Sequence, residues 1–148
     1  MYQRILIATD GSELAQKGVD HGLALAKQLG AEIVVVTVSE PIVTGFDDAL
    51  GWGGANSLSS EYQKSQDESA QKVLDQVRQK AEPLGLAFTA EHVRDRYAAE
   101  AIAETAQSRA CDLIVMASHG RRGLGRLLIG SQTQEVLTHC GVPVLVVR

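Results

Sequence analysis

Apolar and polar positions along the chain fall into two alternating periods. Ile5-Leu6-Ile7-Ala8, within Tyr2–Thr9, is a short unbroken apolar run, and Glu32–Val38 and Asp112–Ala117 contain two more, Ile33–Val36 and Leu113–Ala117. Runs of this length between turn residues predict strands buried on both faces. Leu86–Val93 alternates weakly and predicts a half-exposed edge strand. Val142–Val147 predicts a last strand, whose Pro143 favours an edge position. Between these runs the period becomes helical. Ser12 can cap a helix in which Leu14, Gly18, Gly22, Leu25 and Leu29 recur, with Ala15, Val19 and Ala26 beside them and Gly30 as the stop. A long polar helix from Ser60 to about Glu82 has a thin apolar face (Tyr62, Ala70, Val73, Val77, Ala81) and ends at Pro83 and Gly85. Another opens at Asp95 or Tyr97 with Ala98, Ile102 and Ala106 on one face. The last covers Gln132–Cys140, with Ser131 as N-cap and Gln134 completing a capping box. Ser39–Ser59 follows neither period. Pro41, Gly45, Gly51, Gly53 and Gly54 predict a long mobile loop there, either a lid over a ligand or an insertion shielding one edge.

The order β-α-β-α-β-α-β-α-β predicts an α/β fold: a single doubly wound five-stranded parallel sheet with helices on both faces. A length of 148 residues suits one domain spanning 1–148. Aromatic residues make up only 4% of the chain, so the core must be aliphatic. A net charge of −4 argues against a nucleic-acid or anionic-membrane binder. No apolar run is long enough to span a bilayer, and the first residues lead straight into a strand rather than a signal peptide, so the expected location is cytoplasmic. Cys111 and Cys140 are not spaced as a metal or redox pair and are expected to be reduced structural thiols. His21, His92 and His139 form no local ligand pattern and are expected at the surface or the core edge.

The chemistry concentrates in Met116–Thr133, a predicted strand end, glycine-rich loop and helix start. Amide groups at a helix N-terminus attract anions, and glycines let a phosphate approach the backbone. Arg121, Arg122 and Arg126 make the loop positive, and no acid lies between Asp112 and Glu135. It is not a P-loop, because Gly120 and Gly125 are followed by Arg126-Leu127, and it lacks the third glycine of a dinucleotide fingerprint. What it does contain is Gly120, nine residues, then Gly130-Ser131. That spacing resembles the nucleotide loop of the universal stress protein family, Gly-x-x-Gly, nine residues, Gly-Ser/Thr, with Ala117 standing where the first glycine would be. Ile5–Ser12 and His139–Val147 resemble the family's opening and closing segments.

The resemblance implies the strand order 3-2-1-4-5 of flavodoxin-like sheets. The order then reverses between the first and fourth strands, where such sheets bind ligands. It also implies an adenine nucleotide, ATP (or AMP or ADP), with Mg²⁺ on its phosphates and no direct protein ligand to the metal. Asp10 and the backbone of Ala8 and Thr9 would face the adenosine, and Val38 would meet the adenine edge. Met116 and Ala117 would lie under the ribose and first phosphate. Gly120, Gly130, Ser131, Gln132 and Thr133 would hold the phosphates, with His119 and Arg121 as further candidates. Asp10 and Ser131 could instead serve only as helix caps. The chain then reads as a homodimeric, nucleotide-regulated stress-response protein, paired through Val142–Val147. A dimeric interaction module of the same fold without nucleotide remains an alternative. Dedicated catalysis is not expected: there is no nucleophile elbow, no metal cluster and no recognisable Ser-His-Asp signature, so ATP hydrolysis would be slow at most.

Overall fold

The computed structural model describes residues 1–41, 55–119 and 129–148. Strands β1 (Arg4–Ala8), β2 (Glu32–Ser39), β3 (Phe88–Arg94), β4 (Leu113–Ala117) and β5 (Val144–Val147) alternate with helices α1 (Glu13–Leu29), α2 (Ala55–Ala81), α3 (Ala98–Ser108) and α4 (Ser131–His139). They form one parallel sheet in the order β3-β2-β1-β4-β5, as expected. Alternation along each strand divides the core in two. Ile5, Ile7, Ile33, Val35, Leu113 and Val115 face α1 and α2, while Leu6, Val34, Val36, Ile114 and Met116 face α3 and α4. Burial of each such side chain contributes roughly 1.5–3 kcal/mol before chain entropy is charged against it.

Some boundaries and one buried face differ from the sequence expectation. The long helix begins at Ala55 rather than Ser60, and β2 extends through Ser39, so the segment predicted as a 39–59 loop is shorter; residues 42–54 lie outside the described residues. On α1 the buried stripe is Ala15, Gly18, Val19, Gly22, Leu23 and Ala26, and Leu29 is 41% exposed. The helix turns its two glycines to the sheet because it passes very close there. A Cβ on Gly22 would stand 2.7 Å from Ile7 Cδ1, and one on Gly18 would stand 3.2 Å from the Ala117 amide nitrogen.

Pairing within the sheet opens a crevice. β1 and β4 pair only from Ile5↔Leu113 to Ile7↔Val115. Beyond that each strand follows its outer neighbour: the Thr9 amide donates to the Val36 carbonyl (3.0 Å), and the Ser118 amide donates to that of Val147 (2.8 Å). The backbone therefore splays at the carboxyl ends of β1 and β4, the point where strand order reverses.

Candidate functional site

The turn after β1 is built by side chains. Thr9 Oγ1 accepts from the Gly11 amide (3.2 Å), Asp10 Oδ1 from the Ser12 amide (2.9 Å), and Ser12 Oγ from the Ala15 amide (3.2 Å). Ser12 is thus the N-cap of α1, and Asp10 shapes the turn in front of it.

The end of β4 is held from the far side of its loop. The Gly130 amide donates to the Ser118 carbonyl (2.9 Å), and the Thr133 hydroxyl lies 3.2 Å from the Ala117 carbonyl and 3.1 Å from that of Ser118. Gly130, not Ser131, is the N-cap of α4; the Gln134 amide donates to its carbonyl, and the Ser131–Gln134 capping box does not form. The reason is steric. A Cβ on Gly130 would sit 3.1 Å from the Ser118 carbonyl oxygen, so only glycine brings this backbone so close without displacement. The helix starts with no side-chain cap and no acid in its first turn, which leaves first-turn amides without intrahelical acceptors.

Between these two ends lies a cavity of about 690 Å³, within the usual range for small-molecule sites. It brings together seven residues singled out from the sequence: Asp10, Val38, His119, Gly130, Ser131, Gln132 and Thr133. Ala8, Thr9, Met116 and Ala117 do not line it; they are buried at the ends of β1 and β4 behind it. Gly120 and Arg121, with Arg122 and Arg126, lie outside the described residues. Thr133 is 2% exposed and its hydroxyl donates toward the Ala117 and Ser118 carbonyls. Ala117 is an ordinary strand residue: the positive-φ residues other than glycine, among those described, are Asp95 and Ala110.

Sequence reasoning missed the opposite wall, which includes Thr37 and Ser39 at the end of β2, Glu40 just after it, and Tyr62, Ser65 and Gln66 on α2. A signal was present in α2. Its apolar stripe is aliphatic from Val73 to Ala81 but turns polar toward Tyr62, as a helix does when its face leaves the core for a water-filled space. Across the mouth Gln132 Nε2 donates to Glu40 Oε1 (2.9 Å), joining α4 to the end of β2.

Residues on the α2 side of β2 and β3 form a polar cluster at the edge of the cavity. Ser39 Oγ is 2.7 Å from His92 Nε2, His92 Nδ1 is 3.6 Å from Asp67 Oδ1, and Arg94 Nε donates to that same oxygen at 2.6 Å. Burial pushes the His92 imidazole below its ordinary range, Arg94 adds to this, and Asp67 partly offsets it. His92, expected at the surface or the core edge, is held here between Ser39, which lines the cavity, and Asp67. Elsewhere, burial pushes the Cys111 thiol up to about 11, which keeps it protonated and unreactive. Among the described residues, no group of three or more His, Cys, Asp or Glu side chains could hold a metal ion, and no helix is long and apolar enough to cross a membrane.

Comparison with known proteins places this geometry in context. The sequence model of the universal stress protein family matches residues 1–148. The universal stress protein MJ0531 of Methanocaldococcus jannaschii is 35% identical over all of this chain and 83% of its own length. The solved structure of MJ0577 from the same organism superposes with a TM-score of 0.83 at 26% identity, covering 99% of this chain and 96% of that one. A universal stress protein from Archaeoglobus fulgidus, solved in complex with dAMP, shares the fold with a TM-score of 0.65 at 17% identity, covering 99% and 98% of the two chains.

Proposed function

The chain belongs to the universal stress protein family, and from that premise we propose that it is a stress-response regulator that binds an adenine nucleotide in the crevice between β1 and β4. The observation that carries this reading is the uncapped start of α4, Gly130–Thr133, sharing one cavity with Asp10 and Val38. A helix start without a capping side chain or a first-turn acid favours an anion. The cavity volume suits a ligand of nucleotide size. The dAMP complex of the Archaeoglobus fulgidus relative supports adenine as the base.

ATP with Mg²⁺ is the nucleotide we assign. Asp10 and Val38 take the adenosine, with the backbone of Ala8, Thr9, Met116 and Ala117 behind it. Gly130 lets the phosphates approach the backbone and the amides of Ser131, Gln132 and Thr133 take them, beside His119 and with Gly120 and Arg121 from the loop; the Gly130 amide stays with the Ser118 carbonyl. Mg²⁺ is held by the phosphates rather than by protein side chains. For this ligand to seat, Gln132 must release Glu40, whose carboxylate otherwise stands near the phosphate end. The protein acts in the cytoplasm as a single domain and as a homodimer, and its output follows nucleotide occupancy; any ATP hydrolysis is slow.

The homodimer forms along β5. This strand is an edge of the sheet, and Leu145 on it and Leu137 on α4 are 40% and 44% exposed. Pairing with a second copy across a two-fold axis satisfies the edge amides and carbonyls and covers these side chains.

Isothermal titration tests the binding. ATP is expected to bind with a Kd in the micromolar range, roughly −8 kcal/mol. An absence of heat at millimolar ATP, ADP and AMP would leave the dimeric interaction module without nucleotide as the better reading.

A further inference from the structure

The cluster at the edge of the cavity has an arrangement that nucleotide binding does not use. The pairing register places Ser39 beside Arg94, and Thr37 beside His92, at the carboxyl ends of β2 and β3. Strand alternation puts all four side chains on the face covered by α2, and α2 brings Asp67 to the same point. The result is Ser39 Oγ 2.7 Å from His92 Nε2, with a carboxylate 3.6 Å from the other ring nitrogen. Asp67 also accepts from Arg94 Nε at 2.6 Å. A negative charge facing Nδ1 favours the tautomer protonated there. The Nε2 lone pair then points at the Ser39 hydroxyl, which donates to it. A hydroxyl held by an imidazole whose far side faces a carboxylate is how a serine is activated for attack, and such sites are recognised by geometry rather than by sequence signature. Ser39 also lines the cavity, so a reagent in that space can reach it.

The geometry points to Ser39 as a nucleophile, with His92 as its base and Asp67 as a positioning residue, that accepts an acyl group from an activated ester entering the cavity. In the step, a lone pair of Ser39 Oγ forms a bond to the acyl carbon. The bond from that carbon to the leaving oxygen breaks and its electron pair stays with that oxygen. The Ser39 proton passes to His92 Nε2 and from there to the leaving group. The products are a serine ester and the released alcohol or phenol, and no oxidant, reductant or metal is needed. This inference does not depend on nucleotide binding.

The test is incubation of the full chain with p-nitrophenyl acetate, followed by peptide mapping and by the rate of nitrophenol release. The expected result is a single acetyl group on Ser39, absent in Ser39→Ala, and formed roughly a hundredfold more slowly in His92→Gln, the lower end of what a general base contributes. If His92→Gln fails to fold, the pH profile of the wild-type protein decides. The rate should rise and level off through a group titrating below the ordinary imidazole value of 6.5. Asp67→Asn should move that midpoint to lower pH, because the carboxylate holds the imidazole's proton affinity up; a midpoint that stays in place overturns the role given to Asp67. Acetylation confined to lysines, a Ser39 labelling rate unchanged in His92→Gln, or a rate that climbs with hydroxide and never levels would overturn the proposal.

Discussion

The amide of Gly130 donates to the carbonyl of Ser118 at 2.9 Å, and this bond returns the start of α4 to the end of β4 across the whole intervening loop. The same approach sets what can replace the glycine. A methyl at residue 130 meets the Ser118 oxygen at 3.1 Å and needs a shift of a few tenths of an ångström. Gly130→Ala should fold with a modest loss of stability, whereas Gly130→Val should lose about 1–3 kcal/mol through overpacking as well as losing ATP. Thermal melts and ATP titration on both variants check this. An unchanged melt for Gly130→Val would show that the contact is not tight.

Ala117→Gly separates space from conformation. Ala117 is a buried strand residue without a positive φ, so a glycine there relieves no backbone strain. The expected outcome is unchanged ATP affinity and a loss of about 0.5–1 kcal/mol in denaturant melts, the usual cost of glycine in a strand. A marked gain in affinity would mean that the methyl blocks the ligand.

Much of this was legible in the sequence because local and global signals agree. Ile5–Ala8, Glu32–Val38 and Asp112–Ala117 are apolar on both sides because the sheet is covered on both sides, and the alternation with helices implies the parallel sheet. On α1 the sequence puts Ala15, Gly18, Val19, Gly22 and Ala26 on the inward face, as observed, but adds Leu29 and omits Leu23, because the face is centred by the close contacts of Gly18 with Ala117 and of Gly22 with Ile7, which are distant in sequence. The cap of α4 was misassigned for a similar reason: Ser131 has the better capping chemistry, but the tertiary bond to Ser118 selects Gly130. Ser39, Asp67 and His92 carry no local pattern at all, since only the β2–β3 register and the seat of α2 bring them together.

Stability should depend on pH through His92. Burial holds its folded value below the ordinary 6.5, so the unfolded chain takes up the proton first as pH falls. The stability that neutral His92 supports is therefore complete above pH 6.5, declines as pH drops below it, and stops declining once the folded imidazole is protonated too. The opposing groups are separate in range: Arg94 holds Asp67 below its usual 3.8, so the loss from that carboxylate sets in only at more acid pH. Melting temperature measured against pH should show a step below pH 6.5 in the wild type and lose it in His92→Gln. A step that persists in the variant would assign it to another group.

Dimerisation is best probed at Leu145. Val142 and Val144 pack against the core cluster under α3 and α4, so lysine there would disturb the fold itself, while Leu145 is 40% exposed. Leu145→Lys should convert the dimer to monomer in light scattering with the melt preserved. A wild type that is monomeric at high micromolar concentration, or a Leu145→Lys protein that stays dimeric, would place the interface elsewhere or remove it.

Nucleotide binding in the β1–β4 crevice is tested most directly by amide resonances of the labelled protein during titration with ATP and Mg²⁺. Saturable shifts concentrated at Asp10, Val38 and Gly130–Thr133, with the β3 edge and the far end of α2 unmoved, are the predicted result. Resonances that stay in place at millimolar ATP, or shifts that map to a surface away from these residues, would contradict it.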